Sequence, residues 1–368
     1  MFYIIMLTSL FLLLCLYNNE QLRIKKLIIV IVSISLILII GLRNVNLGLS
    51  DTKDVYLPQF RRILTYNYSQ VISEFKDPVF YVTTKLFTNI ISKSFNFWLV
   101  VCAALYIIPI MKLIYKKSFS ALLSVMMFIS LNYFGMGFAG IRHCIAIGIL
   151  CNSFDYLLNR NFKKFLLTVI IACCFHVSAL IFLIAYPLCN KVTLSKKESF
   201  ARNCIIILVI FVINNFFGVK LVSSIMNFIV NNLHMERFTI YSQEGFSSLS
   251  NTTFFINYFI FVLSGYIIYS SKNIIIEKSN ERKINVLLSL QFIATILSSL
   301  VKVLGEFYRL SMFFSIFSII LLPETIKCFQ NKKTRSVFIL VLTVLFSLYF
   351  IMIGAKNNMI TPYSFFWE

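Results

Sequence analysis

At 368 residues, 59% hydrophobic and 13% charged, with a mean hydropathy of +0.85, the chain has apolar runs along its whole length and no long polar region between them, which excludes the ordinary soluble enzyme classes. Its net charge of +20 is explained by a basic inner surface over anionic lipid, so it calls for no nucleic acid. The nine cysteines sit almost all inside apolar runs with no C-x-x-C spacing, which argues against a disulfide scaffold and against a zinc site; no metal or cofactor is expected.

A bilayer core of roughly 30 Å needs about 20 helical residues to cross it. On that measure the predicted spans are 2–18, 27–42, 96–114, 119–134, 141–158, 203–217, 253–271, 284–303, 308–324 and 336–354. The first run, FYIIMLTSLFLLLCLY, has no basic segment before it and no small-x-small cleavage pattern after it, so it is a span and not a secretion signal. The loop NNEQLRIKK that follows is basic, which places it in the cytoplasm and the N-terminus outside. Alternating from there, the inner loops carry Arg23, Lys25 and Lys26, then Lys112, Lys116 and Lys117, then Arg160, Lys163 and Lys164, then Lys272, Lys278, Arg282 and Lys283, and finally Lys327, Lys332, Lys333 and Arg335.

One stretch interrupts the alternation. Residues 165–189, FLLTVIIACCFHVSALIFLIAYPLC, are too many for one crossing and few for two, and a single crossing would export the basic loop after them. A broken or re-entrant hairpin turning near His176 at the outer face restores the rule. Residues 79–93 are interfacial for the same reason, since a crossing there would export Lys116 and Lys117. The predicted fold is therefore an all-α polytopic membrane protein of about 10–12 transmembrane helices, one integral membrane domain over 1–368 with long outer loops at 43–95 and 218–252.

These outer loops are rich in aromatics rather than Gly and Ser, and Arg43, Arg61, Arg62, Arg142, Arg237 and Arg309 all fall on this side. Guanidinium presents a planar fork matched to phosphate oxygens, so several converging at headgroup level would hold a diphosphate; each could also pair with Asp51, Asp54 or Glu306. Rings beside carboxylates suit saccharide, and equally suit interface anchoring. The three histidines, His143, His176 and His234, also lie outside, and His176 at the hairpin turn could move a proton or cap a helix end. The sequence has no phosphate-binding glycine loop, no H-E-x-x-H and no nucleophile elbow.

Five segments together resemble the EpsG family, a branch of the Wzy-type O-antigen and capsule polymerases. GLRNVNLGLSDTKDVY at 41–56 is similar to the family's early segment at Gly41, Arg43, Gly48, Asp51 or Asp54, and Tyr56. FAGIRHCIAIGIL resembles its central helix start at Arg142, Ile145 and Ala146, and FHVSALIFLIAYPL its hairpin at His176, Ser178 and Ala179. YRLSMFF carries the late arginine, Arg309, and PYSFFW resembles the aromatic tail. Two departures stand out: His143 occupies a position where the family usually has glutamine, and extra residues leave two aspartates for one family position.

The resemblance implies a C-type glycosyltransferase of the bacterial inner membrane, polymerising undecaprenyl-diphosphate-linked oligosaccharide repeat units at the periplasmic face into O-antigen, capsule or exopolysaccharide. It implies diphosphate binding by Arg43, Arg142 and Arg309, with Arg237 beside them, and catalytic roles for Arg142 and for Asp51, Asp54 or His176 as base or acceptor orienter. Tyr56, His143, Glu306 and Tyr241 are the expected sugar or phosphate contacts. Partners would be the lipid-linked oligosaccharide, membrane lipids and a chain-length regulator. An O-antigen ligase shares the donor but carries its large outer loop late in the chain, whereas the early loop here is at least as long. A flippase would distribute charge through its span interiors, whereas these middles are nearly free of it.

Overall fold

The computed structural model of the chain describes residues 2–17, 22–48, 51–75, 77–191, 197–218, 251–270, 278–357 and 359–368, with isolated positions 220, 223, 224 and 227. The described residues are helical, apart from connections and one isolated antiparallel bridge. In chain order the helices are α1 (Phe2–Tyr17), α2 (Leu22–Gly41), α3 (Leu57–Thr65), α4 (Tyr68–Glu74), α5 (Pro78–Ile90), α6 (Phe95–Lys117), α7 (Ala121–Ser130), α8 (Tyr133–Met136), α9 (Ile141–Cys151), α10 (Phe154–Leu158) and α11 (Phe162–Phe175). They continue as α12 (Ala185–Lys191), α13 (Lys197–Ile213), α14 (Thr252–Ser270), α15 (Lys278–Ser298), α16 (Glu306–Ser315), α17 (Ser318–Ile326), α18 (Lys332–Tyr349) and α19 (Ala355–Asn357).

Among the described residues, five helices are long and apolar enough to cross a membrane: Arg23–Gly41, Phe95–Lys117, Lys197–Gly218, Thr252–Ser270 and Lys332–Gly354. Glu306–Ser315 and Ser318–Ile326, bent by 42° at their break, make a sixth if they form one span. Four apolar helices are shorter: Phe2–Leu13, Ala121–Ser130, Ile141–Cys151 and Val177–Asn190. The outward faces of α13 and α18, with Ile205, Val209, Val212, Val337, Val341 and Leu345 exposed, are those of helices solvated by lipid. The chain is an all-α, multi-pass membrane protein.

Besides 2–18, which falls on a shorter apolar helix, and 308–324, which breaks between α16 and α17, three predicted spans take a different form. The run 141–158 breaks after Cys151 into α9 and α10, because the chain turns at Asn152 and Ser153. The run 119–134 likewise breaks into α7 and α8, around Asn132 in the left-handed conformation (φ 70°). The run 284–303 falls on α15, whose first turns carry Glu281, Arg282 and Lys283 and keep it outside the long apolar class. At 165–189 the helix ends where the charge pattern places the break: α11 stops at Phe175, His176 is extended, and a 3-10 helix, Val177–Ile184, follows.

The chain packs as two compact units, one of Met1–Leu180 with Phe329–Glu368, the other of Ile181–Cys328. In the first, α6 is the central stave, with α2 on one side and α9 on another. Helices α6 and α9 run parallel. Leu99 and Cys102 share a core cluster with Ile141 and Ile145, Gly148 comes against Leu105 and Tyr106, and Lys117 pairs with Asp155 just beyond α9. Gly148 is needed at the crossing, since a Cβ there would stand 2.7 Å from the Leu105 carbonyl oxygen. The segment before α6 folds over the Phe95 end of this pair: Pro78 opens α5, and an Asn67–Gln70 capping box starts α4.

The last ten residues strap the same end of the unit. Asn44 N–H donates to the Ser364 carbonyl at 3.0 Å and Phe366 N–H to that of Leu42 at 3.0 Å, around the Arg43–Phe365 bridge. Tyr363 stacks on Phe2 at 4.1 Å, and its hydroxyl donates to the Ile39 carbonyl.

In the second unit α15 packs against α12, α14, α16 and α17. Amides and hydroxyls join its helices: Gln291 Nε2 donates to the Asn257 carbonyl and Oδ1, both at 3.0 Å, and Asn214 Nδ2 donates to Ser299 Oγ at 2.8 Å. At the opening turns of α15, Lys283 pairs with Glu324 at 2.8 Å and Arg282 donates to Asn190 Oδ1 at 2.9 Å.

Candidate functional site

The site starts from an arginine that never reaches the surface. Arg43 follows the last turn of α2 and is 0% exposed. Its guanidinium donates to the Ile40 carbonyl, and at 2.9 Å each to Thr52 Oγ1 and the Phe138 carbonyl, with the Phe138 ring 5.2 Å beneath it. Thr52 closes the triangle by donating to the same Phe138 carbonyl at 2.7 Å. Burial pulls the Arg43 pKa down to about 10, so it stays protonated at neutral pH. A guanidinium enclosed in this way ties three segments together.

Gly48 belongs to the same joint. It has φ +78°, and a Cβ there would sit 2.3 Å from Phe138 Cβ, so both the turn and the close approach require glycine. Gly48→Ala is expected to cost about 1–3 kcal/mol, read as a lower midpoint of thermal unfolding of the purified protein in detergent.

The joint sets the position of a π-helical turn, Asp51–Tyr56, and of the start of α9. There Arg142 projects between two rings, with its guanidinium 5.9 Å from the centroid of Tyr56 and 5.7 Å from that of Tyr81. Arg142 pairs with Asp77, which is 8% exposed, and Arg142 backbone N–H donates to the Tyr56 hydroxyl at 3.4 Å. Its Nε is buried with no hydrogen-bond partner among the described residues. The rings are held in turn. Tyr81 donates to Gln59 Oε1 at 2.5 Å and stacks on Phe75 at 4.1 Å, while Tyr56 packs against Phe80 and Trp98.

Burial pushes the Tyr81 hydroxyl up to about 12 and raises that of Tyr56 as well, in both cases against the pull of the Arg142 charge. Neither phenol ionises near neutrality, so Asp77 is the carboxylate that balances Arg142. A guanidinium between neutral rings is held by cation–π attraction in a fixed plane.

Next on α9, His143 is 2% exposed and its ring meets that of His176 edge-on, at 5.3 Å and 86°. The structure thus gathers Tyr56, Arg142, His143 and His176, residues 56 to 176, in one unit. Asp51 is half-buried on the π-turn, and its charge is felt at Tyr56; Asp54 is exposed. Glu306 and Arg309 stand in the other unit, 4.0 Å apart at i,i+3 on α16 and both partly exposed. Arg237, Tyr241 and His234 lie outside the described residues.

Asp77 and Tyr81 are the site residues that the predicted set omits. With only 14 acidic residues in the chain, an aspartate immediately before Pro78 and an aromatic helix is a usable signal, although Asp77 in that place reads as a helix cap. It makes no cap hydrogen bond.

Against known proteins, no curated protein and no solved structure matches the chain. A family model described as the EpsG family matches residues 26–365, nearly its whole length. That match takes in the Arg43 joint, the Arg142 cluster, the break at His176 and most of the aromatic strap, so the chain belongs to the EpsG family of Wzy-like polymerases.

Proposed function

We propose that the protein polymerises undecaprenyl-diphosphate-linked oligosaccharide repeat units into a surface polysaccharide at the periplasmic face of the bacterial inner membrane. The observation that carries this reading is Arg142, a planar cation fixed between the Tyr56 and Tyr81 rings at the end of α9 opposite the basic loops. Family membership supports the polymerase class; the charge pattern of the loops supports the side.

In this reading the growing chain on its lipid diphosphate is the donor and a hydroxyl of a fresh lipid-linked unit the acceptor. The acceptor oxygen bonds to the anomeric carbon, the bond from that carbon to the diphosphate oxygen breaks, and undecaprenyl diphosphate leaves. Arg142 faces the charge that develops on the leaving diphosphate, which needs a fixed donor rather than a mobile one. Asp51, or His176 held against His143, takes the acceptor proton; Asp54, exposed on the same turn, is the weaker choice. The Tyr56 and Tyr81 rings that hold Arg142 also offer apolar faces to sugar. Arg43 acts as a positioning residue, through the turn it ties to α9. Arg309, with Glu306 beside it, and Arg237 and Tyr241 keep the phosphate and sugar contacts proposed for them.

Deleting the gene in a host that makes the glycan tests the proposal. The expected surface carries single repeat units on the normal acceptor. Loss of all attached glycan would replace a polymerase with a ligase or a flippase.

A further inference from the structure

Helix α6 rises about 1.5 Å per residue, so its 23 residues separate the Arg142 cluster from the Lys117 end by about 35 Å. At that far end a cavity of about 130 Å³ opens between α6 and the turn after α9. The polar part of its lining is formed by Lys112, Lys116 and Lys117 on α6 and by Asn152, Asp155 and Tyr156 opposite. The apolar part of its lining is Pro109, Leu113 and Cys151. From Lys117 back to Pro109 is about 12 Å along the helix toward its middle.

The charges that line the cavity do not balance. Asp155, the one carboxylate among the described residues lining the cavity, is held by Lys117 at 2.5 Å. Lys112 and Lys116 stand i,i+4 on one helix face, a spacing that sets like charges against each other. Lys164 adds a further positive charge over the Tyr156 ring, at 6.0 Å. The lysine-rich loops place this end on the inner side of the membrane.

We propose that this cavity is a binding site for an anionic phospholipid of the inner leaflet. Its phosphate would lie between Lys112 and Lys116, with the Tyr156 hydroxyl as a further donor, and the first carbons of a chain would lie along Pro109, Leu113 and Cys151. The amphipathic lining selects this occupant. A soluble phosphate would leave the apolar wall unused, and the ammonium of a zwitterionic headgroup would face the lysines. Basic pockets between helices on the cytoplasmic side suit such headgroups. The proposal does not depend on the reaction at the opposite end of α6.

The test uses the full chain purified in detergent, with thermal unfolding followed on titration with phosphatidylglycerol, phosphatidylcholine or inorganic phosphate. A ligand that binds the folded state raises the midpoint with its concentration. Phosphatidylglycerol is expected to raise it, and the other two to leave it near its starting value. Lys112→Gln with Lys116→Gln should weaken the phosphatidylglycerol effect about thirtyfold in concentration, at about a kcal/mol per lysine. Lys332→Gln with Lys333→Gln, which removes the same charge from exposed positions at the start of α18, should leave it unchanged. Equal weakening by the two double variants would overturn the site in favour of general surface attraction. Equal stabilisation by inorganic phosphate or phosphatidylcholine would overturn the choice of occupant.

Discussion

Arg142→Ala is expected to abolish chain growth while the protein remains in the membrane at normal abundance. Removing one fixed donor to a developing oxyanion costs about 10²–10³ in rate, which turns a long polysaccharide ladder into single units. Arg142→Lys is the sharper variant, because it keeps the charge. A lysine ammonium is a point charge on a flexible stem and cannot lie flat between the Tyr56 and Tyr81 rings while pairing with Asp77. We expect it to lose at least about tenfold in polymer yield, measured as chain-length distribution on a gel beside an immunoblot of membranes. Wild-type chain lengths in the alanine variant would refute the assignment of Arg142.

Arg43→Ala is expected to act on folding instead. The substitution empties a fully buried volume and removes the donors to Ile40, Thr52 and the Phe138 carbonyl together. Stranded buried acceptors and a new cavity each cost a few kcal/mol, so the loss should be on the order of 3 kcal/mol or more. It should appear as low membrane abundance and a lowered unfolding midpoint, with any loss of polymer following the loss of protein. Normal abundance and an unchanged midpoint with no chain growth would return Arg43 to the role of phosphate ligand.

The contrast between these arginines shows how far the sequence can be read. Each ends or begins an apolar run, and one sequence supplies no means of telling a snorkelling guanidinium from an enclosed one. What separates them is contact across long stretches of chain: Arg43 reaches a carbonyl 95 positions away, and Arg142 a carboxylate 65 positions away. Local pattern does not encode such pairs, which is why Asp77 and Tyr81 escape a reading centred on residues 41–56. The helix break at His176 is legible because it follows from length and charge, both local quantities. The breaks inside 119–134 and 141–158 are not, since apolar residues flank each turn on both sides and a single Asn at 132 or 152 barely changes the hydropathy of the run.

The pairing of Arg142 with Asp77 bears on turnover. Between reaction cycles the cluster carries its own counterion, so an empty site holds no unbalanced charge in a half-buried place, where such a charge is costly. In the proposed reaction an arriving diphosphate would compete with a carboxylate that is tethered and always present, which would weaken the affinity for donor and leaving product alike. If the proposed reaction is the one catalysed, with undecaprenyl diphosphate leaving after every addition, an anion site that closes on itself as the product departs favours release over retention.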